Sequence, residues 1–449
     1  MLVTRLGALV GLGGATLSIA AGQVLNGLSP RLPRVLAADT SNRIGAGGTA
    51  GQSASAVRTI SLGQNPIDLV LDPAPSRAAP NGRIFVSIQG PYDPYGGPAG
   101  IGIVRALDAR DGRTMRDVRV GYAPGALALD EQTGHLFVVN RSERAVSMLD
   151  ARGAAAPRAI IVPPGPRGIA VDSRAGRAIL VGEGVTSAGY APVGSGSASL
   201  LDTTSGRVLR SVVVEGQMAV VDQRRGRALI LGAGLTILDI NRARVSRTVS
   251  FTLAVQALAL DETTGRLFAI TQRDSVSVNG PTYDLTMLDG QDGRVLSSIA
   301  SIAIGGNPAQ VAVDESARRV LVFGSGAVGG LEVSVADAGA GRLLRRVTTS
   351  TVTLGSSLNT VLQALSPVVD ARRGRVYVAL TDPRSHSKAY VGVFDTRSGG
   401  LLHTIPVRGA YIQAMTVDAR RGRLFVVSVA RQLTTNGSSQ NTQGYLSII

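Results

Sequence analysis

The sequence predicts an all-β protein, a single β-propeller of eight four-stranded antiparallel blades, and three observations predict it. Eight times an apolar run ends in Asp, as in DLVLD, GALALD, GIAVD and AMTVD, at Asp72, Asp130, Asp172, Asp222, Asp261, Asp314, Asp370 and Asp418. A few residues after each Asp, Gly-Arg or its remnant opens a second apolar run, as in GRIFVSI, GHLFVVN and GRLFVVS. Between copies lies a related unit, LDARDGRTMRDVRV or LDTTSGRVLRSVVV, so each period of about fifty residues holds four short apolar runs, which is the spacing of propeller blades.

Each element follows from local chemistry. The innermost strand is built from small and β-branched residues, as suits strands crowded around an axis. Its terminal Asp starts a tight turn, because the carboxylate accepts backbone N–H groups two residues on. Gly supplies the positive φ of that turn. Arg then opens the second strand, where it faces the Asp; this pairs Arg266 with Asp261 and Arg423 with Asp418. The third strand ends in a second Asp, from Asp108 to Asp395, and a similar turn leads to the outer strand.

Eight inner-strand units stand against seven complete outer halves. The last run, YLSII, reads as a third strand, while an orphan outer strand, VRTISLGQ, occupies residues 57–64. Pairing the two closes the ring over residues 58–449 and leaves no open edge. Seven blades is the alternative, because the fourth unit, Gln217 to Phe251, is short, although it keeps all four apolar runs.

Ahead of the ring, Arg5 precedes an uncharged, small-residue-rich stretch from Leu6 to Pro30. Residues 1–38 therefore read as an export signal or N-terminal membrane anchor. Residues 39–57, rich in Gly, Ser and Ala, read as a flexible tether. The expected location is extracellular or at the cell surface. The chain has 449 residues, no cysteine and a formal net charge of +15. Lacking cysteine, it has no disulfide, thiolate metal site, c-type haem or lipoprotein anchor. The bases are arginines apart from Lys388, and many stand in the Gly-Arg turns, which places the excess charge on one rim. Such a rim could attract anionic polymers, nucleic acid included.

The turns joining strands one to two and three to four share one face and are short and uniform. The insertions fall on the other face: 91–100, 183–198, 273–284, 382–388 and 431–444. Irregular loops on a regular scaffold mark that loop face as the functional candidate. Tyr offers a stacking face and a hydroxyl, which suits protein or polysaccharide partners. The candidate binding residues are Tyr92, Asp93, Tyr95, Tyr122, Asn140, Glu183, Tyr190, Arg273, Asp274, Tyr283, Asp382, Arg384, His386, Tyr411 and Arg431. The connection 348–367 carries a segment, SLNTVLQAL, that reads as a short helical turn.

The unit GYAPGALALDEQTGHLFVVNRSERAVSMLDARG resembles the YVTN-type β-propeller repeat, with LFVVN (Leu136 to Asn140) where that family has its Tyr-Val-Thr-Asn signature. Asn65-Pro66, Ala123-Pro124 and Asn307-Pro308 before the inner strands also fit. The resemblance implies an exported, surface-associated propeller and names no ligand; Asn140 is the only copy of the signature asparagine.

The sequence points to no catalytic residue, cofactor or metal. His135 replaces a turn arginine and His403 lies in an outer strand, which leaves His386 as the one loop histidine. Quinoprotein propellers share an Asp-x-x-Thr-Gly turn, but they use tryptophans and a vicinal disulfide, and this chain has neither Trp nor Cys. The reading is a monomeric, non-catalytic binding or scaffold propeller of the cell envelope. The alternatives are a lactonase- or lyase-like enzyme with its site at the loop-face channel mouth, and an arginine-mediated binder of anionic polymer.

Overall fold

The computed structural model describes residues 57–449, apart from residue 77 and residues 94–96, 183–184, 187–191, 194–195, 215–217, 232–233, 251–254, 275–281, 305–309, 326–330, 350–360, 363–366, 382–387 and 432–441. Every regular element among the described residues is a strand. Eight antiparallel sheets succeed one another along the chain. Blade 1 runs Pro66–Asp72, Arg83–Ile88, Ile101–Asp108 and Thr114–Tyr122, from the axis outward. Blade 8 takes its inner three strands from the C-terminus (Tyr411–Asp418, Arg423–Arg431, Thr442–Ile448) and its outer strand, Arg58–Gln64, from the N-terminal end. Arg58 stands opposite Ile448 and Gln64 opposite Gln443. The ring closes as the orphan strand predicts, with eight blades.

The fourth unit is a complete blade: Met218–Asp222, Arg227–Leu231, Gly234–Asp239 and Arg244–Ser250. Its shortness comes from the tight connection between Leu231 and Gly234. The expected helical turn in 357–365 is not what forms at Val361–Leu362. Those two residues pair with Leu380 and Thr381, and Val368–Asp370 pair with the same neighbour further along, so the inner strand of blade 7 comes in two pieces. The rest of that segment lies outside the described residues. An extra two-stranded ladder, Val185–Thr186 with Pro192–Val193, is built into the loop of blade 3.

Hydrophobic packing follows the alternation of the strands. Eight buried clusters occur, and each spans two neighbouring blades. In blade 3, Ile179 and Val181 pack toward blade 4 while Ala178 and Leu180 pack toward blade 2. The closing interface holds Leu62 from the N-terminal strand among Leu69, Ile84, Phe425 and Leu446. Burying one such Leu or Phe contributes about 1.5–3 kcal/mol, so ring closure is a hydrophobic event as much as a hydrogen-bonded one.

The turns explain the repeated Asp. One oxygen of Asp130 accepts the backbone N–H groups of Gln132 (2.9 Å) and Thr133 (3.3 Å), and Asp172 and Asp261 do the same two and three residues on. Gly134 closes the turn at φ 75, donating its N–H to the Asp130 carbonyl at 2.8 Å. In the blade 6 copy the glycine is replaced by Arg318, which still takes φ 54.

Candidate functional site

The turn arginines hold blades together, and Arg266 and Arg423 do not pair as expected. Arg266 donates to the carbonyls of Ala338 (3.0 Å) and Gly339 in the next blade, not to Asp261. Arg423 donates to the carbonyl of Ala109 across the closing interface, at 3.3 Å. Arg227 does the same to Gly290 at 2.6 Å. His135, at the equivalent position, contacts the Thr203 carbonyl at 2.7 Å through Nδ1. A carbonyl only accepts, so Nδ1 carries the proton and the histidine serves as a substitute lock. At Asp222 the opening Arg227 does reach the carboxylate, at 2.9 Å, but at Asp418 and Asp370 the carboxylate is met by a different arginine, three residues after the Asp. Arg421 reaches Asp418 at 2.9 Å, and Arg373 bridges Asp370 (3.0 Å) to the Ala419 carbonyl of the next blade (2.8 Å). At Asp261 the partner is the Thr264 hydroxyl at 2.7 Å.

The charge is also placed differently from the sequence expectation. In the turns, arginines alternate with aspartates. The outer strands carry the imbalance: two arginines each in Thr114–Tyr122, Arg244–Ser250 and Leu343–Thr349, and one each in Arg58–Gln64, Arg158–Ile161, Val208–Val213 and Leu401–Arg408. Asp117 is the single carboxylate in those strands, and Arg105 of the neighbouring strand holds it in a paired contact at 2.7 and 2.8 Å. The positive wall therefore girdles the propeller from outside.

A cavity of about 350 Å³ occupies the axis, lined by the inner strands of all eight blades. Much of its wall is backbone and small side chains, such as Ala128, Ala170, Ala312 and Ala414. Among the described residues the polar side chains gather mainly at the turn end, where Glu131, Gln223, Glu315, Arg372 and Arg420 line it, with Asp68 toward the other end. Several of these polar groups clasp one blade to the next. Glu315 accepts the Glu262 N–H at 2.8 Å and the Thr263 hydroxyl at 2.9 Å. Ser173 accepts the Glu131 N–H at 3.3 Å, and the Asp68 carboxylate accepts the Leu127 N–H at 2.9 Å.

On the loop face, connection lengths vary widely, from the short link between Leu231 and Gly234 to the long one between Gly182 and Ser197. By contrast, seven of the eight inner turns run from Asp to the opening basic residue with the same spacing, as from Asp130 to His135 and from Asp418 to Arg423. The described candidates divide in two. Asn140 is 1% exposed; its side chain donates to the Ser147 hydroxyl at 3.0 Å and accepts the Gly121 N–H at 3.3 Å, so it is a joint between blades 1 and 2. Tyr283 is buried within the core shared by blades 5 and 6, and burial pushes its hydroxyl pKa up. Tyr92 is half-buried, with its hydroxyl donating to Gln89, and Asp93 accepts the Gly97 N–H of its own loop at 2.8 Å. Tyr122, in contrast, is 42% exposed at the end of its strand, and Tyr411 is half-buried at the start of the blade 8 inner strand. Arg273 and Asp274 end the second strand of blade 5, and Arg431 ends that of blade 8, which puts all three backbones on the loop face. Tyr95, Glu183, Tyr190, Asp382, Arg384 and His386 lie outside the described residues.

No family model matches the chain, and no curated protein matches it. Among solved structures it is similar to BamB from Moraxella catarrhalis, at 15% identity over 87% of this chain and 97% of that one, with a TM-score of 0.54. It is also similar to the computationally designed Ika8 protein, at 12% identity over 86% and 96% of the two chains, with a TM-score of 0.54. A third likeness is to the dihydro-heme d1 dehydrogenase NirN in complex with DHE, at 14% identity over 76% and 67%, with a TM-score of 0.51. At these identities the likenesses establish the fold alone.

Proposed function

We propose that this propeller is a binding or scaffold protein of the cell envelope, holding a protein or polysaccharide partner on its loop face. The observation that carries the reading is the contrast between the two faces. Uniform turns, clasped blade to blade, build a rigid ring, and connections of unequal length project from its other side. The YVTN-type resemblance supports an exported, surface-associated setting, with residues 1–38 as signal or anchor and 39–57 as tether. Tyr122 is the exposed aromatic through which a partner would be gripped.

A second reading has one observation in its favour. The axial cavity falls within the size of small-molecule sites, and guanidinium and carboxyl groups line its turn end. A lactonase- or lyase-like activity would use it. The clasping role of Glu315, Ser173 and Asp68 ranks this reading second.

The two are separated by cross-linking the full chain to envelope extracts and probing a glycan array, with two variants in parallel. Tyr122→Ala combined with replacement of residues 432–441 by a Gly-Ser linker is expected to lose capture. Arg372→Gln with Arg420→Gln is expected to keep it. The reverse pattern, or turnover of a lactone abolished by the second pair, would move the function into the channel.

A further inference from the structure

The outer strands share a defect with a consequence. In blades 1, 3, 4, 5, 6 and 7 the pairing of third and outer strands skips one residue at the same place, just after the turn. The skipped residue is Met115 in blade 1 and Ser246 in blade 4, and a leucine in the other four: Leu209, Leu296, Leu344 and Leu402. A bulge leaves its extra residue unpaired and re-aims the side chain. All four leucines are exposed accordingly, from 36% at Leu209 to 51% at Leu402. Edge strands are ordinarily blunted with charge, so repeated exposed leucines are not explained by protection against edge pairing.

These leucines rim the turn face, and the turns present the right chemistry beside them. The eight turn aspartates are buried, none more than 3% exposed, because they point into their own turns. Arg207, Arg294 and Arg342, each two residues before a bulge leucine, are exposed, as are Arg174, Arg224, Arg372 and Arg420 nearer the axis. The innermost turn carboxylates are thus hidden while these guanidinium groups stand within a rim of leucine, alongside the exposed Glu131 and half-buried carboxylates such as Glu315 and Asp292.

Chain direction supplies the third observation. Arg58 pairs with Ile448, at the turn end of blade 8, so the N-terminal strand starts at the turn rim. The preceding chain, whose sequence carries the apolar stretch from Leu6 to Pro30, is therefore connected to the ring at that rim. We propose that the turn face is the docking surface for an anionic lipid bilayer. The bulge leucines enter the interface, the arginines meet lipid phosphates, and the loop face is directed away toward its partner. This rests on the anchor reading of the N-terminal segment given above. A soluble polyanion would use the arginines but not the leucines, which favours the bilayer.

A chain without cysteine allows a direct test. Thr204→Cys, exposed in a turn of blade 3, and Ala99→Cys, exposed on the loop face, are each labelled in the full chain with a polarity-sensitive fluorophore. Each is mixed with phosphatidylcholine vesicles, with or without phosphatidylglycerol. The turn-face label should shift to the blue, more strongly with the anionic lipid, and the loop-face label should not respond. Leu344→Ser with Leu402→Ser, and separately Arg294→Gln with Arg342→Gln, should reduce the shift while leaving the unfolding midpoint in place; each arginine contributes about a fivefold change in partitioning. If the chain co-sediments with vesicles but the turn-face label is silent, or the loop-face label shifts instead, this proposal is wrong while the anchor reading stands. If the chain co-sediments with neither vesicle, both fall. An equal response to heparin in solution overturns the bilayer in favour of a soluble polyanion.

Discussion

Asn65 and Thr442, which stand 377 positions apart in sequence, are joined by three hydrogen bonds. The Asn65 side-chain oxygen accepts the Thr442 N–H at 2.9 Å and its hydroxyl at 2.6 Å, and the Asn65 N–H donates to the Thr442 carbonyl at 2.9 Å. Asn65 also holds φ 54, a left-handed conformation that Asn tolerates better than most residues. It is the buckle between the N-terminal strand, blade 1 and the third strand of blade 8. Asn65→Ala should lower stability by about 2–3 kcal/mol, combining lost hydrogen bonds with backbone strain. Asn65→Gly should cost less, because only the hydrogen bonds are lost. Denaturant midpoints of the three chains check the order.

Leu62 is the deepest residue of the closing strand, 1% exposed. Leu62→Ala should cost about 2–5 kcal/mol. Replacing the whole strand Arg58–Gln64 with Gly and Ser should instead bare the edge at Thr442–Ile448 and produce concentration-dependent aggregation, seen by light scattering. A monodisperse, stable product would mean that closure is not needed.

Arg227 grips the buried Asp222 at 2.9 Å and, through its other nitrogen, the Gly290 carbonyl of blade 5 at 2.6 Å. Arg227→Ala leaves Asp222 with Arg225 alone, at 3.3 Å, and should cost about 3 kcal/mol. Arg227→Lys should recover only part of this, because an ammonium does not reproduce the fork of two donors. Arg242→Ala makes the control. Its ion pair with Asp239 is largely exposed, and thermal unfolding should barely register its loss.

Arg318 occupies the turn position that is glycine in the other seven inner turns, and it keeps the same left-handed φ. Arg318→Gly should therefore stabilise the ring by about 1 kcal/mol, the strain relieved outweighing the added freedom of the unfolded chain. A decrease in the midpoint would show that the Arg318 side chain contributes more to blade 6 than the strain removes.

The repeat made the strands, turns and closure readable because each is local: an Asp, a Gly and an apolar run within one period. The arginine locks were not readable in the same way. Arg266 meets Ala338, a blade away, and nothing near Arg266 in sequence marks that carbonyl as its acceptor. The bulge leucines escaped for a similar reason, since VLR and LLR look like ordinary strand until pairing shows which residue is skipped. Loop position was legible for Asn140 and Tyr283, but orientation was not. Both turn inward, because the polar end of each blade also needs hydrogen bonds and packing.

Acid should expose two kinds of turn carboxylate with opposite signs. Asp202 and Asp337 titrate below the ordinary aspartate range, chiefly because backbone N–H groups of Ser205 and of Ala340 bond to the charged form. Between their depressed folded values and the unfolded value of about 3.9, the unfolded chain binds more protons, so their stabilisation is present above that window and is lost as pH falls through it. Asp172 goes the other way. Burial raises its pKa despite bonds from Ala175 and Arg174, so the folded chain binds the extra proton and its contribution grows as pH falls through the raised value. Melting temperatures measured from neutral pH down to acid should therefore fall less steeply in Asp202→Asn than in the parent chain. In Asp172→Asn they should fall earlier, because the compensating gain is gone. If the two variants traced the same acid limb, the inner and outer rings of aspartates would be electrostatically equivalent, and the burial difference between Asp172 and Asp202 would carry no weight.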